Sequence, residues 1–337
     1  MKKAILSAAV LFGALGTAHA QMTIYGLIDA SYGKSLFTDV FTNDKADFHS
    51  GGDNGSSEGN STTRIGLKGS TDLGSGIKAN FRFESNGITS DGNINSPTLG
   101  RQAWLGFSGA FGEVRLGRQD SVSFQTMIDY DFNGASNGVS ALGYSAVGPW
   151  LPVRQSRSLQ YISPSFGGLT AHVGFVPEGN RGTNATGGTA ENVFSGAVKY
   201  AAGPLSVAAS VQTKEFSNTK QFYSVAGSYD LGILKGSIGY ADGGKFAEGG
   251  TGKGISLGVV APIAGLNVGA MYGQNSDSDM KIDSYEIFVN KEIFKNTIAY
   301  AEFGSWKSDA TGASSFRAAT GAKADGTGAA IGVIYVF

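Results

Sequence analysis

From Met22 to Tyr32 the chain alternates. One parity reads Met22, Ile24, Gly26, Ile28, Ala30 and Tyr32, and the other reads Thr23, Tyr25, Leu27, Asp29 and Ser31. A period of two predicts a strand with these sets on opposite faces. The split recurs at Ala79, Phe81 and Phe83 against Lys78, Asn80, Arg82 and Glu84. It recurs again at Leu205, Val207, Ala209 and Val211 against Ser206, Ala208, Ser210 and Gln212. Ile331, Val333, Tyr335 and Phe337 carry it to the last residue. Strand charges fall mostly on the polar parity: Asp29, Lys68, Lys78, Arg82, Glu84, Lys199 and Lys235. A face that stays small and polar along the whole chain implies water on that side.

The connections alternate in length. Ser70 to Gly76, Ser163 to Gly168 and Ala261 to Gly265 are short, whereas Lys34 to Ser61, Ser85 to Leu99 and Ser121 to Val153 are long. Tight turns at one end and long loops at the other mark an outer-membrane barrel. In hydrocarbon no backbone amide can go unpaired, so such a sheet must close on itself. The predicted fold is therefore all-β, a transmembrane antiparallel barrel of about sixteen strands, with roughly twenty residues per strand and connection. A barrel of that size is too wide for side chains to fill and keeps an aqueous channel. Tyr32, Phe83, Phe175, Tyr200, Tyr240 and Tyr272 sit near strand ends on the apolar parity, where interfacial girdles form.

Composition agrees. Gly makes up 52 of 337 residues, which helices tolerate poorly and loops and strands tolerate better. Residues 1–20 read as a cleaved signal peptide. Lys2 and Lys3 precede an apolar stretch from Ala4 to Leu15, and Ala18-His19-Ala20 forms a small-x-small cleavage site. Residues 21–337 then form the barrel. Removing Lys2 and Lys3 from the 26 basic residues leaves 24 against 27 acidic ones, a net charge of −3. That balance argues against nucleic acid as a partner.

Cofactor and enzyme chemistry find no support. There is no Cys, and of the three His residues His19 lies in the signal, His49 in a long loop and His172 in a strand. No clustered metal-ligand pattern is present. A hydrolase centred on His172 lacks a nucleophile signature. No metal, no cofactor and no catalytic residue is expected.

Several blocks carry a resemblance. They are Thr23-Ile24-Tyr25-Gly26, Arg64-Ile65-Gly66-Leu67-Lys68-Gly69, Arg101-Gln102-Ala103-Trp104-Leu105-Gly106, Leu116-Gly117-Arg118-Gln119 and the run from Ser158 to Gly168, with Phe337 last. In order and spacing they resemble the Gram-negative general porins of the neisserial and β-proteobacterial type. The resemblance spans residues 21–337 and implies passive diffusion of ions and small hydrophilic solutes through an outer-membrane channel. It implies a homotrimer in contact with outer-membrane lipid and lipopolysaccharide. It also implies a third long loop, Ser121 to Val153, folded into the lumen.

That loop would bring Asp129 and Asp131 opposite a wall of arginines. The wall maps onto Arg64, Arg118, Arg154 and Arg157, with Lys68 and Arg82 from the lumen parity beside them. Parity puts Arg118 and Arg157 with their apolar neighbours, so each needs a bulge or a rim position to reach the lumen. Arg101 meets the same obstacle. Phe337 and Tyr335 resemble the terminal signal read by the barrel-assembly machinery. Two rivals remain: a substrate-preferring channel, which needs an aromatic track, and a plugged structural or adhesin barrel, which needs a filled interior.

Overall fold

The alternating segments become strands of a single closed sheet. The computed structural model describes residues 21–143, 153–179, 181–184, 187–243, 253–276, 281–308, 323 and 325–337. The segment read as a signal peptide and the Gly148–Pro152 part of the third loop lie outside the described residues. The first strands are β1 Gln21–Lys34, β2 Asp47–Ser50, β3 Arg64–Gly74 and β4 Ile77–Glu84. Next come β5 Gln102–Gly109, β6 Gly112–Asp120, β7 Arg154–Ile162 and β8 Leu169–Val176. β9 Val193–Ala202, β10 Leu205–Gln212, β11 Phe222–Asp230 and β12 Lys235–Gly243 follow. The last are β13 Lys253–Ile263, β14 Leu266–Ser276, β15 Lys281–Phe294, β16 Thr297–Ser308 and β17 Asp325–Val336.

Closure happens at β1. Its first half, Gln21 to Leu27, pairs with β3, and on its other edge Leu27 to Lys34 pairs with β17. Above the end of β3, the four-residue β2 pairs with Ala30 to Gly33 and continues the ladder. Phe337 extends the seam: its amide donates to the Gly26 carbonyl at 3.1 Å, and the Gly26 amide donates back at 3.0 Å. The barrel proper thus has sixteen strands, all paired antiparallel, with β2 as a short supplement. Among the described residues no strand edge is left to seek a partner, which is what an apolar surround demands.

The two parities separate as expected. Ile24 and Ile331 are 65% and 62% exposed, whereas Asp29 and Glu286 are 0% exposed. Apolar side chains on the outside and polar ones within reverse the order of a water-soluble protein.

The lumen is partly occupied by the third loop, anchored by local and long-range terms. Ser121 caps a short helix, α1 (Val122–Ile128), its Oγ accepting from the Phe124 amide at 3.1 Å. Behind it Met127, Tyr130 and Leu142 pack on Ala208, Phe222, Ala226 and Ala241, residues of β10 to β12. Burying side chains of this size contributes about 1.5–3 kcal/mol each. Beyond α1 the loop is tied to inward-facing groups of the wall. Asn133 Nδ2 donates to Glu286 and to Glu302, each at 3.1 Å, and the Ser136 hydroxyl donates to Glu302 at 2.9 Å. The first loop clasps the same stretch, the Gly138 amide donating to the Gly59 carbonyl at 2.8 Å. That clasp is held in turn by Asp29, whose carboxylate accepts from the Ser61 amide at 2.6 Å and from the Tyr300 hydroxyl at 2.8 Å.

Candidate pore constriction

Opposite the loop, β3, β4 and β5 lie side by side and bring three guanidinium groups around one carboxylate. Arg101 donates from Nε to Glu84 Oε1 at 2.8 Å, and Arg82 donates from Nη2 to Oε2 at 2.6 Å. Arg64 Nε lies 3.7 Å from Oε1. The Glu84 side chain, 2% exposed, sits beneath all three. Tyr25 completes the cluster: its hydroxyl donates to Glu84 Oε2 at 2.8 Å and accepts from Arg82 Nε at 2.6 Å. Below, Lys68 and Arg82 stand 5.0 Å and 5.1 Å from the centre of the Tyr25 ring.

A fourth guanidinium arrives from β7. Arg154 Nε lies 3.2 Å from Asp120 Oδ1, an ion pair too bent to count as a hydrogen bond. Arg154 opens its strand, and the alternation that governs the middle of β7 has not begun there. Arg64, Arg101, Arg154 and Asp120 line one side of a cavity of about 450 Å³. From the third loop Phe124, Met127, Ile128 and Leu142 line it, with neutral Asn137 beside them.

The acidic side expected of the loop is elsewhere. Asp129 pairs with Lys199 of β9. Asp131 is buried at the back of the loop, where it accepts from the Ser140 hydroxyl and the Asn133 amide, each at 2.9 Å. Burial raises the Asp131 carboxyl above its usual range, against the lowering effect of those two donors. Neither carboxylate faces the arginines. The helix α1 turns residue 129 towards β9, and the turn after it buries residue 131, so the surface left for the lumen is apolar.

Arg118 and Arg157 also stand apart. A register shift lies between Gly117 and Gln119, where β6 pairs with β7. Gly117 has φ +141°, and a Cβ there would fall 2.2 Å from the Ala103 carbonyl oxygen, so a residue with a side chain would be strained. The bulge turns Gln119 and Ser158 inward, Gln119 Nε2 donating to the Ser158 carbonyl at 3.1 Å. Arg118 stays opposite Ala103, on the parity of exposed Leu105 and Leu116. There it donates to the Gly100 carbonyl at 2.6 Å and to Ser156 Oγ at 2.8 Å. Arg157 is exposed, with φ 58°. One bulge does form, with Arg118 and Arg157 on its two strands, but it redirects their neighbours.

Sequence reasoning set Arg101 aside and did not assign Glu84 to the site. Arg101 precedes the first residue of β5, so strand parity does not bind it. Glu84 was legible as a lumen charge. Its role came from pairing β4 with β3, which sets it opposite Gly66, two residues from Arg64.

The family model described as Gram-negative porin matches residues 6–311. An outer membrane porin protein of Bordetella pertussis is 32% identical, across 91% of this chain and 85% of that protein. Outer membrane porin protein 32 of Delftia acidovorans is 30% identical, across 91% of this chain and 90% of that protein. Among solved structures, an anion-selective porin from Comamonas acidovorans superimposes with a TM-score of 0.77 at 23% identity, covering 95% of this chain and all of that one. At that identity the likeness speaks for the fold.

Proposed function

Because the chain belongs to the Gram-negative porin family, and so forms a water-filled outer-membrane channel for passive diffusion of ions and small hydrophilic solutes, we propose that its constriction prefers anions. The observation that carries this reading is the one-sided charge of the cavity. Among the described residues Arg64, Arg101 and Arg154 line it with one carboxylate, Asp120, itself paired with Arg154. The net charge of −3 expected for residues 21–337 pulls the other way. That charge is spread over the whole chain, and exposed charges are screened beyond about 10 Å at 0.1 M salt. A guanidinium in the narrow zone acts at contact distance beside an apolar surface, where screening is weak. The local cluster wins.

In this reading Arg64, Arg101 and Arg154 form the selective edge, and Arg82 and Lys68 extend it below. Arg118 and Arg157 are left out. The channel works without chemistry on its solutes, as the porin names of its relatives suggest. Family resemblance further supports a homotrimer in contact with lipid and lipopolysaccharide. It also supports export through residues 1–20 and recognition of Tyr335 and Phe337 during assembly.

Planar-bilayer recording of the purified protein across a potassium chloride gradient tests the preference. The reversal potential should have the sign of an anion-selective pore, and insertions should come in three conductance steps. A cation-selective potential would overturn the proposal.

A further inference from the structure

We infer that the constriction favours organic anions with one charged head and an apolar body, such as single-ring or branched-chain carboxylates, over inorganic anions of the same charge. The inference rests on the anion-preferring reading and goes beyond it to a class of solute.

Two kinds of surface line the cavity. On the wall, Arg64 commits Nη1 to the Thr62 carbonyl at 2.8 Å, and Arg101 commits Nε to Glu84 and Nη1 to Thr62 Oγ1 at 3.3 Å. Among the described residues Nη2 of each takes no hydrogen bond, so donors remain for a passing carboxylate. A guanidinium suits that headgroup because its planar fork matches the two oxygens.

On the loop, Phe124 and Ile128 stand four residues apart in α1 and so share one face of the helix. Both are half-buried, with part of each side chain open to the cavity. Leu142 lines the same side and packs back on the inner wall, which makes the patch a fixed surface. A chloride or phosphate ion gains nothing from it. A solute whose carbon body lies on Phe124 and Ile128 while its carboxylate meets the arginines is held at both ends. The cavity of about 450 Å³ falls within the usual range for small-molecule sites, about 300–1,000 Å³. Covering apolar area equal to about one methylene group lengthens residence about fourfold.

Permeability ratios from bi-ionic reversal potentials with sodium chloride, acetate, butyrate and benzoate give the test. Simple sieving lowers permeability as the anion grows. The inference expects benzoate to match or exceed acetate in the wild-type channel and to lengthen single-channel current interruptions. Ile128→Asn should lower the benzoate-to-acetate ratio about fourfold. Ratios in the wild-type series that fall steadily with size overturn the inference, and that series needs no variant. Loss of chloride preference in the wild type would instead overturn the anion-preferring reading, a separate result from the order among the carboxylates.

Discussion

Arg101 and Glu84, seventeen positions apart in the chain, are joined by a 2.8 Å charge-assisted hydrogen bond from Nε to Oε1. Arg64 and Arg82 reach the same carboxylate, so one buried anion holds three cations in place. Without it the guanidinium groups would repel one another and spread. Glu84→Gln is therefore expected to strengthen the anion preference and to weaken the barrel by about 1–3 kcal/mol, the scale for leaving a buried hydrogen-bonding group unsatisfied. Reversal potential and urea unfolding in detergent read the two effects separately. An unchanged potential would mean that Glu84 does not set the charge seen by a permeating ion.

Arg64 and Arg118 lie in comparable sequence blocks but on opposite sides of the sheet. Arg64→Ala should move the reversal potential towards cations, as should Arg101→Ala. Arg118→Ala should leave it in place, because the side chain stands with Leu105 and Leu116 on the outer parity. A shift for Arg118→Ala equal to that for Arg64→Ala would contradict the placement of the bulge.

Gly304 of β16 is where the third loop presses on the wall. A Cβ there would lie 2.8 Å from Val139 Cβ and 3.0 Å from the Val139 carbonyl oxygen. Gly304→Val should push the loop off β16, at about 1–3 kcal/mol for overpacking. The expected readout is a larger and noisier single-channel conductance with the barrel still folded. A quiet channel of wild-type conductance would show that the loop adapts without moving.

Asp131 links this docking to pH. Burial raises its carboxyl in the docked loop, so the docked state binds more protons than a released one. The contribution to docking is therefore fully present at acid pH and is lost as pH rises through the raised value. Open-channel noise should increase from acid to alkaline solution. Asp131→Asn should flatten that dependence, because the amide has no charge to bury; its oxygen can still accept from the Asn133 amide, and its NH2 can donate to the Ser140 hydroxyl. Equal pH dependence in the two proteins would remove Asp131 as its source.

Much of the barrel could be read in advance because strand geometry is local. Side chains alternate every residue, so Ile24 and Asp29 take opposite faces whatever the rest of the chain does. The same rule put Lys68, Arg82 and Glu84 in the lumen. It stopped working where alternation stops: at Arg101, which precedes its strand, and at the bulge beside Arg118. Asp129 and Asp131 escaped it too, since a loop has no period from which direction can be derived.

From the sequence alone came the closed sheet of about sixteen strands, its apolar exterior and its wet interior, because the two-residue period and the need to pair every amide act on neighbouring residues and admit few other outcomes. The tertiary structure decided which charges meet. Glu84 gathers arginines from neighbouring strands, Asp131 is buried behind the loop, and Phe124 and Ile128 face the cavity in place of the expected acids. Those relations depend on long-range register and on how one loop packs against the inner wall, and no local pattern encodes either.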